Sequence, residues 1–200
     1  MSSETPLLSP PLFEIFWEQH RQKIIGATFI AVFLVFVLAG LLFWKRSERL
    51  AADHLLSSAH GMEEWQRVVD RYPHSGAAAN ALLLIAGAQA QEHHLEESQK
   101  TYVHFLKRFS HYPLAISARL GMGMNEDVMG HADRAAQEFQ QAVTAYPTAY
   151  AAPEALLLEA RIMARLGKKE EVKRVLQLIA TQYPDSLVST MVLKQGKGSL

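Results

Sequence analysis

The 200-residue chain has no cysteine. That absence excludes a thiol nucleophile, a cysteine zinc site, an iron–sulfur cluster, a disulfide framework and a cysteine-linked lipid anchor. Net charge is missing as well: 20 Lys+Arg balance 20 Asp+Glu. Dedicated nucleic-acid binders carry a basic stripe, so no nucleic-acid partner is expected. Catalytic signatures are absent too. There is no Gly-x4-Gly-Lys-Ser/Thr loop, no His-Glu-x-x-His and no nucleophile elbow around a serine; Gly121-Met122-Gly123 falls inside a helical pattern rather than after a strand. Glu63-Glu64, Glu96-Glu97 and Glu170-Glu171 each open a helix, where the macrodipole favours negative charge, and read as solvated starts rather than acid–base pairs. His93-His94, with Glu92, Glu96 and Glu97 nearby, is the densest group of metal donors. Adjacent loop histidines rarely converge on one ion, and a solvated helix connection is the plainer reading. The expectation is a non-enzyme with no catalytic residues, no metal and no cofactor.

One stretch lacks charge altogether. Residues 24–44 are 21 positions of which 18 are apolar, the exceptions being Gly26, Thr28 and Gly40. At about 1.5 Å per residue such a helix is roughly 31 Å long, close to the roughly 30 Å hydrocarbon core of a bilayer. Arg21 and Lys23 precede it, and Trp44, Lys45, Arg46 and Arg49 close it. An indole suits the headgroup region. A cleaved signal peptide fits poorly, because the run is long and no small-x-small site follows. We read 24–44 as a transmembrane helix that places the chain in the bilayer. Two Lys/Arg on one flank against three on the other leave its orientation undecided. Residues 1–23 read as a tail and interfacial segment, with Leu12, Phe13, Ile15, Phe16 and Trp17 forming either a short interfacial helix or the extended end of the span.

Beyond residue 44 the chain repeats itself. Tyr-Pro recurs at Tyr72-Pro73, Tyr146-Pro147 and Tyr183-Pro184, at intervals of 74 and 37, and Phe109 stands midway in the longer interval. A period of 37 signals a solenoid of supersecondary units. Independent columns agree: Ala81/Ala118/Ala155, Leu83/Leu120/Leu157, Ala86/Gly123/Ala160 and Tyr102/Phe139/Leu176. Each unit divides into two helices, 77–91 and 95–108, 114–129 and 132–145, 153–166 and 169–182. Gly130 and Gly167 sit at the reversals, and Pro153 fits a first helical turn. Helices 49–59 and 62–71, with Trp65 at the large position, flank the array upstream. A capping helix 186–194 follows it, with Asp185 or Ser186 as N-cap. The fold class is all-α: one transmembrane helix, then a solenoid of three full helix pairs over 45–195, with 196–200 frayed.

These columns resemble the tetratricopeptide repeat (TPR) family: small residues Ala86, Gly123 and Ala160 in first helices, Ser98, Ala135 and Val172 early in second helices, large Tyr102, Phe139 and Leu176 behind them, and closing Pro147 and Pro184. Small residues let paired helices approach while the large side chain fills the gap between them. The period exceeds the family's usual 34, and Ser110 and Val172 depart from its pattern. From Trp17 to Asp53 the chain also resembles the ancillary SecYEG translocon subunit family, with Lys23 before the span, Gly40 and Trp44 near its end, and an Arg- and Ala-bearing helix after it. That resemblance implies a single-pass protein of the bacterial inner (cytoplasmic) membrane with a periplasmic repeat domain near the Sec translocon.

The TPR resemblance implies a concave groove lined by first helices. Placing the family's groove positions on this chain gives Asn80, Leu83, Gly87, Ala90 and Gln91, then Ser117, Leu120, Met124, Asp127 and Val128, then Glu154, Leu157, Arg161, Ala164 and Arg165. Arg161 and Arg165, one turn apart, are candidates to clamp a carboxylate. For any single position, a solvated or repeat-packing face is the competing reading. The clamp that some family members use for chaperone C-termini needs several Asn and Lys, and only Asn80 is present. The expected partners are proteins or peptides, with the Sec translocon and envelope chaperones as implied candidates. Two alternatives remain open: a structural or self-associating envelope scaffold without a groove ligand, and a cytosol-facing TPR adaptor.

Overall fold

The computed structural model describes residues 12–198, apart from the side chains of 12–20, 24, 193 and 195–198. The described backbone is helical, without a strand. Among the described residues nine helices follow in order: α1 Leu12–Ser57, α2 Met62–Arg71, α3 Gly76–Gln91, α4 Leu95–Phe109, α5 Ala115–Val128, α6 Ala132–Ala145, α7 Ala152–Arg165, α8 Lys169–Gln182 and α9 Leu187–Gly198. The chain divides into two units, residues 1–48 and 49–200.

The described part of the first unit is helical. Leu12 to Trp17 belong to α1, which corresponds to the extended-end alternative for those residues. Phe29, Phe33, Phe36 and Phe43 are exposed along it, and no core covers them. The stretch is long and apolar enough, by length and composition, to cross a bilayer.

The second unit is a TPR-like array built from repeated turn chemistry. At each exit from a second helix, the same backbone bond closes the turn: Ser75 N–H to Tyr72 C=O at 2.9 Å, Tyr112 to Phe109 at 2.9 Å, Ala149 to Tyr146 at 3.1 Å and Ser186 to Tyr183 at 3.1 Å. Ser75 and Ser186 then cap α3 and α9, accepting from the Ala78 and Ser189 amides at 3.0 Å each. A cap of this kind contributes about 1 kcal/mol to its helix. Ser186, not Asp185, is therefore the cap of the last helix. That helix is described as far as Gly198, and the last two residues lie outside those described.

Within each pair the reversal is also repeated. His94 N–H reaches Gln89 C=O at 2.8 Å, His131 reaches Glu126 at 2.8 Å and Lys168 reaches Met163 at 2.9 Å. The bond forces the preceding residue into the left-handed region. Gly130 (φ 83°) and Gly167 (φ 73°) meet that demand freely, whereas His93 meets it at φ 61°. A left-handed non-glycine residue costs roughly 1–2 kcal/mol, and a glycine's greater unfolded-state freedom returns part of that. We expect His93→Gly to stabilise the domain by about 0.5–1 kcal/mol in chemical denaturation; a loss of stability contradicts the strain reading.

The core follows the period. Ala78/Ala115/Ala152, Ala81/Ala118/Ala155 and Val68/Phe105/Ala142/Ile179 are all fully buried. Phe139 packs so closely on Gly123 that a Cβ there would stand 2.6 Å from its ring. The large column is buried at Tyr102 and Phe139 but only partly at Trp65 and Leu176, and in α2 and α8 the fully buried anchors are Val68 and Ile179 instead. Tyrosine hydroxyls tie successive units together. Tyr146 donates to Ser110 C=O at 3.1 Å and Tyr183 to Pro147 C=O at 2.8 Å, each 36 residues back. Phe109 has no hydroxyl, and Tyr112 supplies the missing tie, reaching Asn80 Oδ1 at 3.2 Å and Gly76 C=O at 3.4 Å.

Candidate protein-binding groove

Two neighbouring pairs of first helices lie close together, while α5 and α7 do not approach as closely. Among the described residues α3 packs on α5 and α7 on α9, with no comparable approach between α4 and α6 or α6 and α8. The face of α3, α5, α7 and α9 is therefore the inner face of the stack.

The fifteen groove positions do not behave alike. On α3, Asn80 is half-buried and engaged by Tyr112, Leu83 packs against the first core cluster, Gly87 and Ala90 are half-buried, and Gln91 is exposed at the helix end. On α5, Ser117 is half-buried, and Met124 and Val128 are exposed. Leu120 is a correction: it is 8% exposed and belongs to the second core cluster, so it presents almost no surface to a ligand. On α7, Glu154, Arg161, Ala164 and Arg165 are exposed, and Leu157 is partly buried against the third cluster.

Arg161 and Arg165 do not act as a pair. The Arg165 guanidinium grips the Asp127 carboxylate of the preceding unit through both nitrogens, one of them at 3.2 Å. The Asp127 hydrogen bond and charge push the guanidinium pKa further up. Arg165 thus joins two units, and Arg161 alone is left facing the groove.

Two clefts open on this face. One of about 370 Å³ is lined by Met124, Asp127, Val128, Phe139, Leu158, Arg161, Ile162 and Arg165. The other, about 720 Å³, runs between α7 and the α8–α9 turn, with Tyr150, Pro153, Glu154, Leu157, Leu158, Arg161, Asp185 and Leu187 in its wall. Leu158 and Arg161 line both, so the clefts adjoin along α7. Tyr150, 91% exposed, and Leu187, 69% exposed, are groove residues that family positions did not supply. Their separation is 37, so the repeat period itself contained the signal. Small-molecule and peptide sites combine apolar walls with a few placed polar groups, which is the composition here.

Close to the groove, Glu159 of α7 is buried at 4% exposure. Burial raises its carboxyl pKa, the Arg174 charge pulls it down and the Glu171 charge pushes it up, for a net rise. A carboxyl whose folded pKa is raised stabilises the fold only below its unfolded value, and that contribution is lost as pH rises through the folded value. Above that range the raised pKa counts against the fold. We therefore expect Glu159→Gln to be more stable than the parent near pH 7, with the difference narrowing as pH falls toward 4.5. Urea titrations at several pH values test this, and a variant less stable at pH 7 contradicts it.

A profile of the tetratricopeptide repeat matches residues 154–186, from α7 to the cap of α9. The array has a tetratricopeptide-like fold. Among solved structures, 33 chains match. One is the crystal structure of Rap protein complexed with competence and sporulation factor, which superposes with a TM-score of 0.56 at 17% identity over 66% of this chain. This chain spans 40% of that protein's length, and at such identity the likeness concerns the fold alone. Comparison with curated proteins returned no match.

Proposed function

We propose that the chain is a membrane-anchored protein-interaction module. The apolar stretch 24–44 spans the bilayer, and the groove over α5, α7 and α9 binds envelope or translocating proteins. The resemblance of residues 17–53 to the ancillary translocon subunit family supports a periplasmic repeat domain at the bacterial inner membrane, next to the Sec translocon. The observation that carries the reading is the open groove itself: Met124, Val128, Tyr150 and Leu187 expose apolar surface beside Arg161, which has no ion-pair partner among the described residues. Exposed apolar surface rimmed by polar groups marks an interaction site. TPR-like repeats serve as protein-binding scaffolds rather than as catalysts, and the Rap neighbour is itself recorded in complex with a factor. Anchoring confines module and partner to one surface and raises their effective concentration.

Topology tests this reading. The chain has no native cysteine, so one engineered thiol reports cleanly. Lys168 is a poor site because it pairs with Asp133 at 3.0 Å. Lys169, exposed and outside that pair, is better. A membrane-impermeant maleimide labels Lys169→Cys in intact cells if the domain is periplasmic. Labelling only after lysis contradicts the envelope reading and leaves a cytosol-facing adaptor.

A further inference from the structure

Arginines on α2 to α8 are almost all occupied. Arg67, Arg119, Arg134, Arg165 and Arg174 form ion pairs, and Arg71 and Arg108 lie over aromatic rings. Of the arginines on α2 to α8, Arg161 alone has neither among the described residues, and it stands where the two clefts meet. The larger cleft also holds two carboxylates, Glu154 and Asp185, which have no ion-pair partner among the described residues. Glu154 precedes Arg161 by seven residues on α7, so about 10 Å of helix axis separates them. Between them on α7, Leu157 and Leu158 line the same wall. The cleft thus presents a cation at one end, anions at the other and an apolar floor between them.

From this charge pattern we infer that the groove's occupant is an extended partner segment with an acidic and a basic side chain flanking about three apolar residues. Residues that flank three apolar ones stand four steps, roughly 13 Å, apart in an extended chain, and the long side chains of Arg161 and of the partner's basic residue take up the difference. The acidic group meets Arg161 and the basic group meets Glu154 and Asp185. Charge placed this way fixes direction and register, while burial of the apolar residues holds the segment. The inference rests on the groove-binding reading above and adds the chemistry of the ligand to it.

Four capped, fluorescein-labelled peptides with a shared Leu-Ala-Leu centre test it. They carry Asp on one side and Lys on the other, Asp alone, Lys alone, or neither. Binding is read by fluorescence anisotropy to the full chain in lipid nanodiscs, with empty nanodiscs as control. The Asp/Lys peptide is expected to bind at least tenfold more tightly than the uncharged one. Arg161→Glu is expected to abolish that advantage and to prefer the Lys-only peptide over the Asp-only one. Arg161 is exposed and has no side-chain hydrogen bond or ion pair among the described residues, and circular dichroism verifies that the variant is folded. Equal binding of all four peptides, unchanged in Arg161→Glu but weakened by Tyr150→Ala, overturns the charge assignment and leaves groove binding standing. No binding of any peptide at millimolar concentration overturns both.

Discussion

Gly121→Ala destabilises the repeat domain by about 1–3 kcal/mol, although alanine is the better helix former by about 1 kcal/mol. A Cβ at this position of α5 would stand 2.2 Å from Cζ of Tyr102 and 2.4 Å from its hydroxyl oxygen. Tyr102 is itself buried, so its ring has little room to retreat. Gly87 on α3 is the control. A Cβ there meets nothing within 4 Å, so Gly87→Ala collects the helix-propensity gain without a clash. The two substitutions are chemically identical and differ only in what lies opposite, so opposite signs in urea denaturation isolate the packing effect. In a nearest-neighbour array the damage falls first on the junction of α4 and α5. Hydrogen exchange is expected to quicken there before it does in α8. Stabilisation by Gly121→Ala contradicts the close approach.

Phe105→Ala is expected to cost more, about 3–5 kcal/mol, as for other fully buried aromatics. Its ring is fully buried, with Phe109 at 5.7 Å and Tyr112 edge-on at 6.3 Å between centroids. Tyr112 carries the hydroxyl that ties the second unit to Asn80 and Gly76 of the first. Removing Phe105 therefore opens a cavity and also loosens the support of that tie. Phe105→Ala and Tyr112→Phe should then be non-additive in a double-mutant cycle, as contacting groups are. The equivalent position of the next unit is Ala142, also fully buried, so an alanine there is not intrinsically unfavourable. The cost belongs to the space that the first unit has built around a phenyl ring. A loss below about 1 kcal/mol contradicts this packing account.

The helical array was legible because its punctuation is chemical. A Tyr-Pro exit, a glycine reversal and a proline in a first turn each act locally, so the period of 37 and the bounds of α2 to α8 follow from sequence to within a residue or two. Local chemistry does not reveal long-range substitution. The hydroxyl missing at Phe109 is replaced by Tyr112, three positions off its column, and only the fold brings that hydroxyl to Gly76. His93 stands in a glycine column, yet its positive φ follows from the backbone bond at the reversal rather than from its own preference. The candidate groove positions differ in exposure for reasons their columns do not show. Leu120 shares a column with Leu83 and Leu157, but α5 also carries Gly121 and Gly123, which draw it against Tyr102 and Phe139 and leave Leu120 inside. Asp127 and Arg165 are 38 residues apart, one period and one position, and neither column alone announces an ion pair.

The central claim is that the face of α5, α7 and α9 is the docking surface. One measurement addresses it directly: in-cell photo-crosslinking with p-benzoylphenylalanine placed at Tyr150, on that face, and at Gln137, exposed on α6. The account predicts a discrete adduct from Tyr150 that disappears when Arg161→Glu is introduced in the same chain, and no Arg161-dependent adduct from Gln137. Adducts from Gln137 alone, or a Tyr150 adduct indifferent to Arg161, contradict it and place docking on another surface of the repeats.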